Sequence, residues 1–236
     1  MPKSLFDSNY KAVIFDLDGT LIDSLESFAA AQIKALVENG IDRHSAAELT
    51  NDVRMPFDRR LRALKPELEE EKIRKILADY VRVYNTETFK LATPMEGAKH
   101  LLNTLEQNSV KAGVVTSRSL LEAAIVPTLE RVGLLSYISS IITPSDVAKP
   151  KPEPYGHLLS LKRLSVSASS AAGVGDSPED IIASKKAGIL AVAFTSGFYS
   201  RSELKSFNPD AYARSLSEIL PIVAGGCTAD KQATGR

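Results

Sequence analysis

Lys11-Ala-Val-Ile-Phe-Asp16-Leu-Asp18-Gly-Thr-Leu21 is the stretch on which the fold turns. The apolar run at 12–15 reads as a strand buried on both faces, as the strands of a parallel sheet are. It ends on Asp16, and a second carboxylate, Asp18, follows before Gly19 and Thr20 turn the chain. Two carboxylates at the end of a buried strand are costly to desolvate unless they bind a cation or take part in chemistry. In open α/β sheets, that end of the strands is where ligands bind. An ordinary Asp-Gly turn is the competing reading of the stretch taken alone.

The rest of the chain supplies the context. Apolar runs at 112–116, 137–143, 171–175 and 189–195 alternate with helical patterns. Such alternation predicts an α/β fold with a doubly wound parallel sheet. Two helix starts carry capping signals. Thr93, Pro94 and Glu96 suit a cap, a first helical residue and a capping-box acid, and Ser119 with Glu122 forms a similar pair.

Residues 24–90 break the rhythm, with helical patterns at 25–38, 56–64 and 67–84 and no buried strand. The last carries Leu68, Ile73, Ile76, Leu77, Tyr80 and Val83 at helical spacing. The expected organisation is a core of 1–23 and 91–224, an inserted helical cap domain of 24–90, and a flexible tail of 225–236. An insertion that leaves and rejoins the sheet beside Asp16 and Asp18 is expected to act as a lid.

Composition sets bounds. The 236 residues hold 29 Lys+Arg and 29 Asp+Glu, a formal net charge of zero, so no basic excess points to nucleic acid or an anionic membrane surface. A single cysteine, Cys227, excludes a disulfide framework within the chain and reads as an exposed tail thiol. The first dozen residues lack the apolar core of a signal peptide, and no run approaches the roughly 18 apolar residues of a membrane span. The expectation is a cytoplasmic protein without nucleic-acid or membrane partners.

Three further motifs follow predicted strands. In Val114-Val-Thr116-Ser117-Arg118, a hydroxyl at a strand end could bind phosphate with neighbouring backbone N–H groups, or simply cap the next helix. In Ala148-Lys149-Pro-Lys151-Pro-Glu-Pro154, three prolines forbid a regular element and stiffen the loop. A lysine on a stiff loop loses little freedom on binding an anion. In Gly173-Val-Gly-Asp176-Ser177-Pro-Glu-Asp180, Ser177, Pro178 and Asp180 suit a helix cap, whereas no cap requires the carboxylate of Asp176 ahead of it. In a parallel sheet these strand ends share one edge, so the groups can converge.

Taken together, DLDGTL at 16–21, Thr116-Ser117-Arg118, the Lys149 loop and Gly175-Asp176 resemble the four motifs of the haloacid dehalogenase-like hydrolases, most of which are phosphatases. The resemblance spans about 10–223. It implies a Rossmann-like core with a helical cap. It also implies Asp16 as nucleophile, Asp18 as general acid–base, and Thr116, Ser117 and Lys149 as phosphate-binding groups. The family pattern places lysine before the first proline, which selects Lys149 over Lys151. Asp16, Asp176 and the carbonyl of Asp18 would hold Mg²⁺, a hard cation suited to oxygen ligands, with Asp180 in support. The layout resembles the phosphoglycolate phosphatases. The segment AKPKPEPY, with 206–210 and 219–223, also resembles bacterial pyrophosphatase relatives.

The expected substrate is a small phosphorylated metabolite, and the expected assembly a monomer or homodimer. Arg54 and Arg118 are candidate contacts to a second anionic group, although either would serve as an ordinary surface arginine. Residues 51–57 replace a glycine-containing loop often found in this group, which leaves phosphoglycolate itself open. Asp18 disfavours dehalogenation, since displacing halide needs no acid. A β-phosphoglucomutase-like phosphomutase would keep all four motifs. A receiver-like signalling domain would share the acids, hydroxyl and lysine but not the insertion.

Overall fold

A computed structural model describes residues 10–50 and 54–225. The expectations for Cys227 and for the tail beyond Gly225 lie outside these residues, as do positions 51–53 of the cap loop. The strands are β1 (Ala12–Phe15), β2 (Ile22–Asp23), β3 (Thr93–Pro94), β4 (Lys111–Val115), β5 (Ile138–Ile142), β6 (Ala171–Gly175), β7 (Leu190–Phe194) and β8 (Ala211–Ala213). Six form one sheet in the order β5-β4-β1-β6-β7-β8, each neighbouring pair parallel, and β2 pairs with β3 apart from it.

This order places the chemistry. The chain winds outward from β1 through β4 to β5, then returns to β6 on the other side of β1. The reversal makes β1 the topological switch point, where open α/β sheets bind ligands. Register completes the placement. Phe15 lies opposite Val114 on one neighbour and Val174 on the other. The residues just past these strands, Asp16, Thr116 and Asp176, therefore emerge side by side. β1 is fully buried, because helices cover both faces of a parallel sheet. On one face Ala12 and Ile14 pack with Leu161 and Leu164 of the helix Tyr155–Leu164.

The chain divides into two compact units. The sheet unit comprises the described residues of Met1–Ile22, Pro94–Ser119 and Gly133–Arg236. The other, Asp23–Thr93 with Leu120–Val132, contains no strand of the six-stranded sheet and is built mainly from helices. Its core joins Ala31, Ala35 and Leu36 to Ile73, Ile76, Tyr80 and Val83, with Phe28 stacked on Tyr84 at 5.4 Å between ring centroids. Among the described residues, no helix is long and apolar enough to cross a membrane.

Several local expectations are corrected. The helix expected from Thr93 starts later, at Ala98, because Thr93 and Pro94 are held extended in β3 and the chain turns at Gly97, whose φ is 82°. Ser119 caps no helix; the chain stays irregular to Leu121, and a single 3₁₀ turn precedes the helix Ile125–Arg131. That segment packs through Leu121 and Ala124 into the helical core, so the 24–90 boundary omitted 120–132. The short helix Arg43–Leu49 also escaped the periodicity, although Asp42 caps it by accepting the N–H groups of His44 and Ser45. β8, three residues long, is too short to show alternation.

Candidate active site

The C-terminal edge of the sheet gathers four acids, a lysine and an arginine. Asp16 follows β1, and its backbone N–H donates to the carbonyl of Val174 at 2.8 Å. Asp176 follows β6 and is buried. Asp180 reaches the same place from the first turn of the helix Pro178–Lys186. Each of these three side chains can offer an oxygen within 4.8 Å of the others.

Lys151 lies among them. Its Nζ donates to Asp16 Oδ1 at 2.6 Å, to Asp180 Oδ1 at 2.6 Å and to the carbonyl of Val115 at 2.9 Å, and its side chain is 2% exposed. Lys149, selected from the motif, is exposed instead. The structure thus places Lys151, and not Lys149, beside Asp16. Lys149-Pro-Lys-Pro and Lys151-Pro-Glu-Pro are overlapping copies of one pattern, and only the path of the loop decides which lysine turns inward. The signal for Lys151 was present, since it too precedes Pro-x-Pro.

Asp180 serves two functions. Its Oδ2 accepts the Ser177 N–H at 3.1 Å and the Ser177 hydroxyl at 2.6 Å, completing the capping box, while Oδ1 holds Lys151. Thr116 is buried and accepts the N–H of Arg118 at 3.1 Å, whereas Ser117 is exposed. Arg118, considered as a substrate contact, folds onto Asp18. Its Nε donates to Oδ2 at 3.1 Å and its Nη2 to Oδ1, forming a two-pronged pair. Arg54 belongs to the helical unit and is exposed. Two groups at the site were not anticipated: the Thr20 hydroxyl, which donates to Asp176 Oδ1 at 3.2 Å, and the Phe198 N–H, which donates to Asp176 Oδ2 at 2.5 Å. DLDGT contains Thr20, but no local pattern marks residue 198.

The electrostatics follow from crowding. Burial raises the pKa of Asp16 well above the ordinary carboxylate value; Lys151 opposes the rise, and Asp180, Asp176 and Asp18 add to it. Burial, then Asp180, pushes Asp176 up to about 7, against the Phe198 N–H, Lys151 and Thr20. Burial disfavours the charge on Lys151, but Asp16 and Asp180 outweigh it and hold the ammonium above its usual value. One ammonium among three carboxylates leaves an excess of negative charge that a divalent cation would offset. The hard oxygen donors of Asp16, Asp176 and Asp180 thus fit a metal ion.

The profile of the haloacid dehalogenase-like hydrolase family matches residues 13–194, and the chain belongs to that family. It is 30% identical over 231 residues to a phosphoglycolate phosphatase of Vibrio parahaemolyticus, covering 91% of this chain and 96% of the relative. It is 29% identical to pyrophosphatase PpaX of Bacillus velezensis, covering 92% and 97%. The fold matches a crystal structure of a hydrolase of this superfamily from Geobacter sulfurreducens with a TM-score of 0.74 at 25% identity, over 92% of this chain and 98% of that one.

Proposed function

We propose that this protein is a Mg²⁺-dependent phosphatase that hydrolyses a small-molecule phosphate monoester through an aspartyl-phosphate on Asp16. The observation that carries the reading is the position of Asp16: at the end of the central strand, held by Lys151 at 2.6 Å, with donor oxygens of Asp176 and Asp180 within 4.8 Å. Family membership and the names of the relatives support the same class.

Asp16, Asp176 and the carbonyl of Asp18 would hold the ion, with Asp180 beside them. Bound there, Mg²⁺ supplies charge that lets an anionic nucleophile and an anionic phosphoryl group approach. A carboxylate oxygen of Asp16 attacks phosphorus while the bond to the leaving oxygen breaks. Asp18 gives that oxygen a proton, then takes one from the water that attacks the aspartyl-phosphate, releasing phosphate and restoring Asp16. Lys151, rather than Lys149, fixes the attacking carboxylate and offsets charge on the phosphoryl oxygens. Thr116 and the Ser117 backbone bind those oxygens.

The test is phosphate release from a panel of phosphate monoesters and pyrophosphate, with and without chelator. Monoester hydrolysis should predominate and should fail when metal is removed. Asp16→Asn should lower turnover by more than about 10⁴-fold, the order typical of losing a nucleophile. Chelator-resistant hydrolysis, or an active Asp16→Asn, would refute the reading; preference for pyrophosphate would move the substrate class.

A further inference from the structure

The loop after β7 contains none of the four motifs, yet its backbone reaches Asp176 directly. β7 is the neighbour of β6 in the sheet, so the loops after these two strands lie side by side. Phe198 N–H donates to Asp176 Oδ2 at 2.5 Å. Gly197 packs against the same carboxylate. A Cβ at 197 would stand 2.2 Å from Oδ2, 2.4 Å from the Asp176 Cβ and 2.5 Å from Cγ. Such distances require the carboxylate or the loop to shift. The φ of Gly197 lies outside the left-handed region, so its backbone is open to other residues; the carboxylate is what excludes a side chain there. Gly19 closes the other side, where a Cβ would meet Oδ2 at 2.6 Å.

The loop is itself anchored. Thr195 N–H donates to the carbonyl of Ala213 at 2.9 Å, and Ser196 Oγ to the carbonyl of Arg214 at 2.5 Å. Ala213 is the last residue of β8. A chain of contacts thus runs from the edge strand, through 195–198, to one carboxylate. Thr20 Oγ1 holds the other oxygen at 3.2 Å.

We propose that the Gly197–Phe198 peptide is a positioning element for Asp176, fixing the orientation of its carboxylate for the metal ion. The proposal rests on the reading of Asp176 as a metal ligand. Groups that orient metal ligands typically contribute about 10- to 100-fold to metal affinity. A merely structural glycine would affect stability and leave metal affinity unchanged in the folded protein.

Mn²⁺ is the probe, its free ion followed by electron paramagnetic resonance, with circular dichroism to confirm folding. Gly197→Ala should bind Mn²⁺ about 10- to 100-fold more weakly. Phe198→Ala keeps the N–H and the glycine, and should bind like wild type. Unchanged Mn²⁺ affinity in a folded Gly197→Ala overturns the proposal. Failure of the wild type to bind Mn²⁺ overturns the metal reading itself, and the proposal with it. If Gly197→Ala does not fold, amide NMR decides. The Phe198 amide proton, donated to a carboxylate, should lie downfield in the wild type and move upfield in Asp176→Asn, which offers a weaker acceptor. An unmoved resonance overturns the proposal.

Discussion

Ion pairs occur in both units of this protein, and they differ in what surrounds them. In the helical unit, Arg82 meets Glu38 at 2.5 Å and Asp79 at 3.2 Å, and Lys34 meets Glu87 at 2.6 Å. These groups are partly solvated; the Arg82 side chain is 48% exposed and Asp79 22%. Water screens such pairs, and ordering two long side chains offsets most of what remains. At the sheet edge, Lys151 has the same 2.6 Å distance to Asp16 but is 2% exposed. Burial there makes each charge dependent on its partners, since an uncompensated charge away from water is costly. Equal distances therefore carry unequal consequences. The buried pairs are where pKa values shift far and where chemistry is expected.

Lys151→Met against Lys149→Met is the sharpest way to break this comparison. Lys151→Met should lower kcat/KM by about 10²- to 10³-fold, the range for removing one group that stabilises a transition state. Lys149→Met should leave it nearly unchanged. Removing one partner of a buried pair also costs typically about 3–5 kcal/mol. The thermal midpoint, followed in parallel, separates loss of fold from loss of chemistry. A larger kinetic loss at Lys149 would reverse the assignment of the two lysines.

A buried group without a strong ion pair of its own sharpens the contrast through pH. His157 is buried on the helix Tyr155–Leu164, with Nε2 3.4 Å from the Ser184 hydroxyl. Burial, reinforced by Lys151 and opposed by Asp180, lowers its pKa from 6.5 to about 4. Between those values the unfolded chain binds the proton and the folded chain does not. This contribution to stability is therefore lost as pH falls below about 6.5. At one pK unit per 1.36 kcal/mol, His157 should account for about 2 kcal/mol of lost stability between pH 7 and pH 5. Denaturant titrations of wild type and His157→Gln should show that much less decline in the variant; equal declines would remove His157 as the cause.

The smallest effect is expected at the solvated end. Arg82→Ala removes two ion pairs at once and should leave turnover unchanged and the thermal midpoint almost so. A clear drop in midpoint would mean that the exposed network is more tightly coupled than its solvation implies.

Legibility in the sequence followed the same division. The strands that lead into Asp16, Thr116 and Asp176 were readable because each is a short, largely apolar run followed by a polar group. The helix Leu25–Glu38 was readable to the residue, and the face of Ile73, Ile76, Tyr80 and Val83 is buried in the structure. The helix starts at Thr93 and Ser119 were misread because capping residues also suit strands and loops, and only pairing partners decide between them. The place of 120–132 was illegible because it joins a core formed by residues far away in sequence.

The sequence by itself determined the parallel α/β sheet, the helical insertion and the carboxylates at the strand ends, because periodicity and strand-terminal charges are local properties. Tertiary structure decided which lysine faces Asp16, that Arg118 pairs with Asp18, and that the backbone at 197–198 closes on Asp176. Those outcomes depend on where loops from separate strands meet. The pattern Lys-Pro-x-Pro occurs twice in overlap, and nothing local distinguishes its copies. Only a neighbouring pair of carboxylates, brought there by the order of strands, compensates one lysine for leaving water and leaves the other outside.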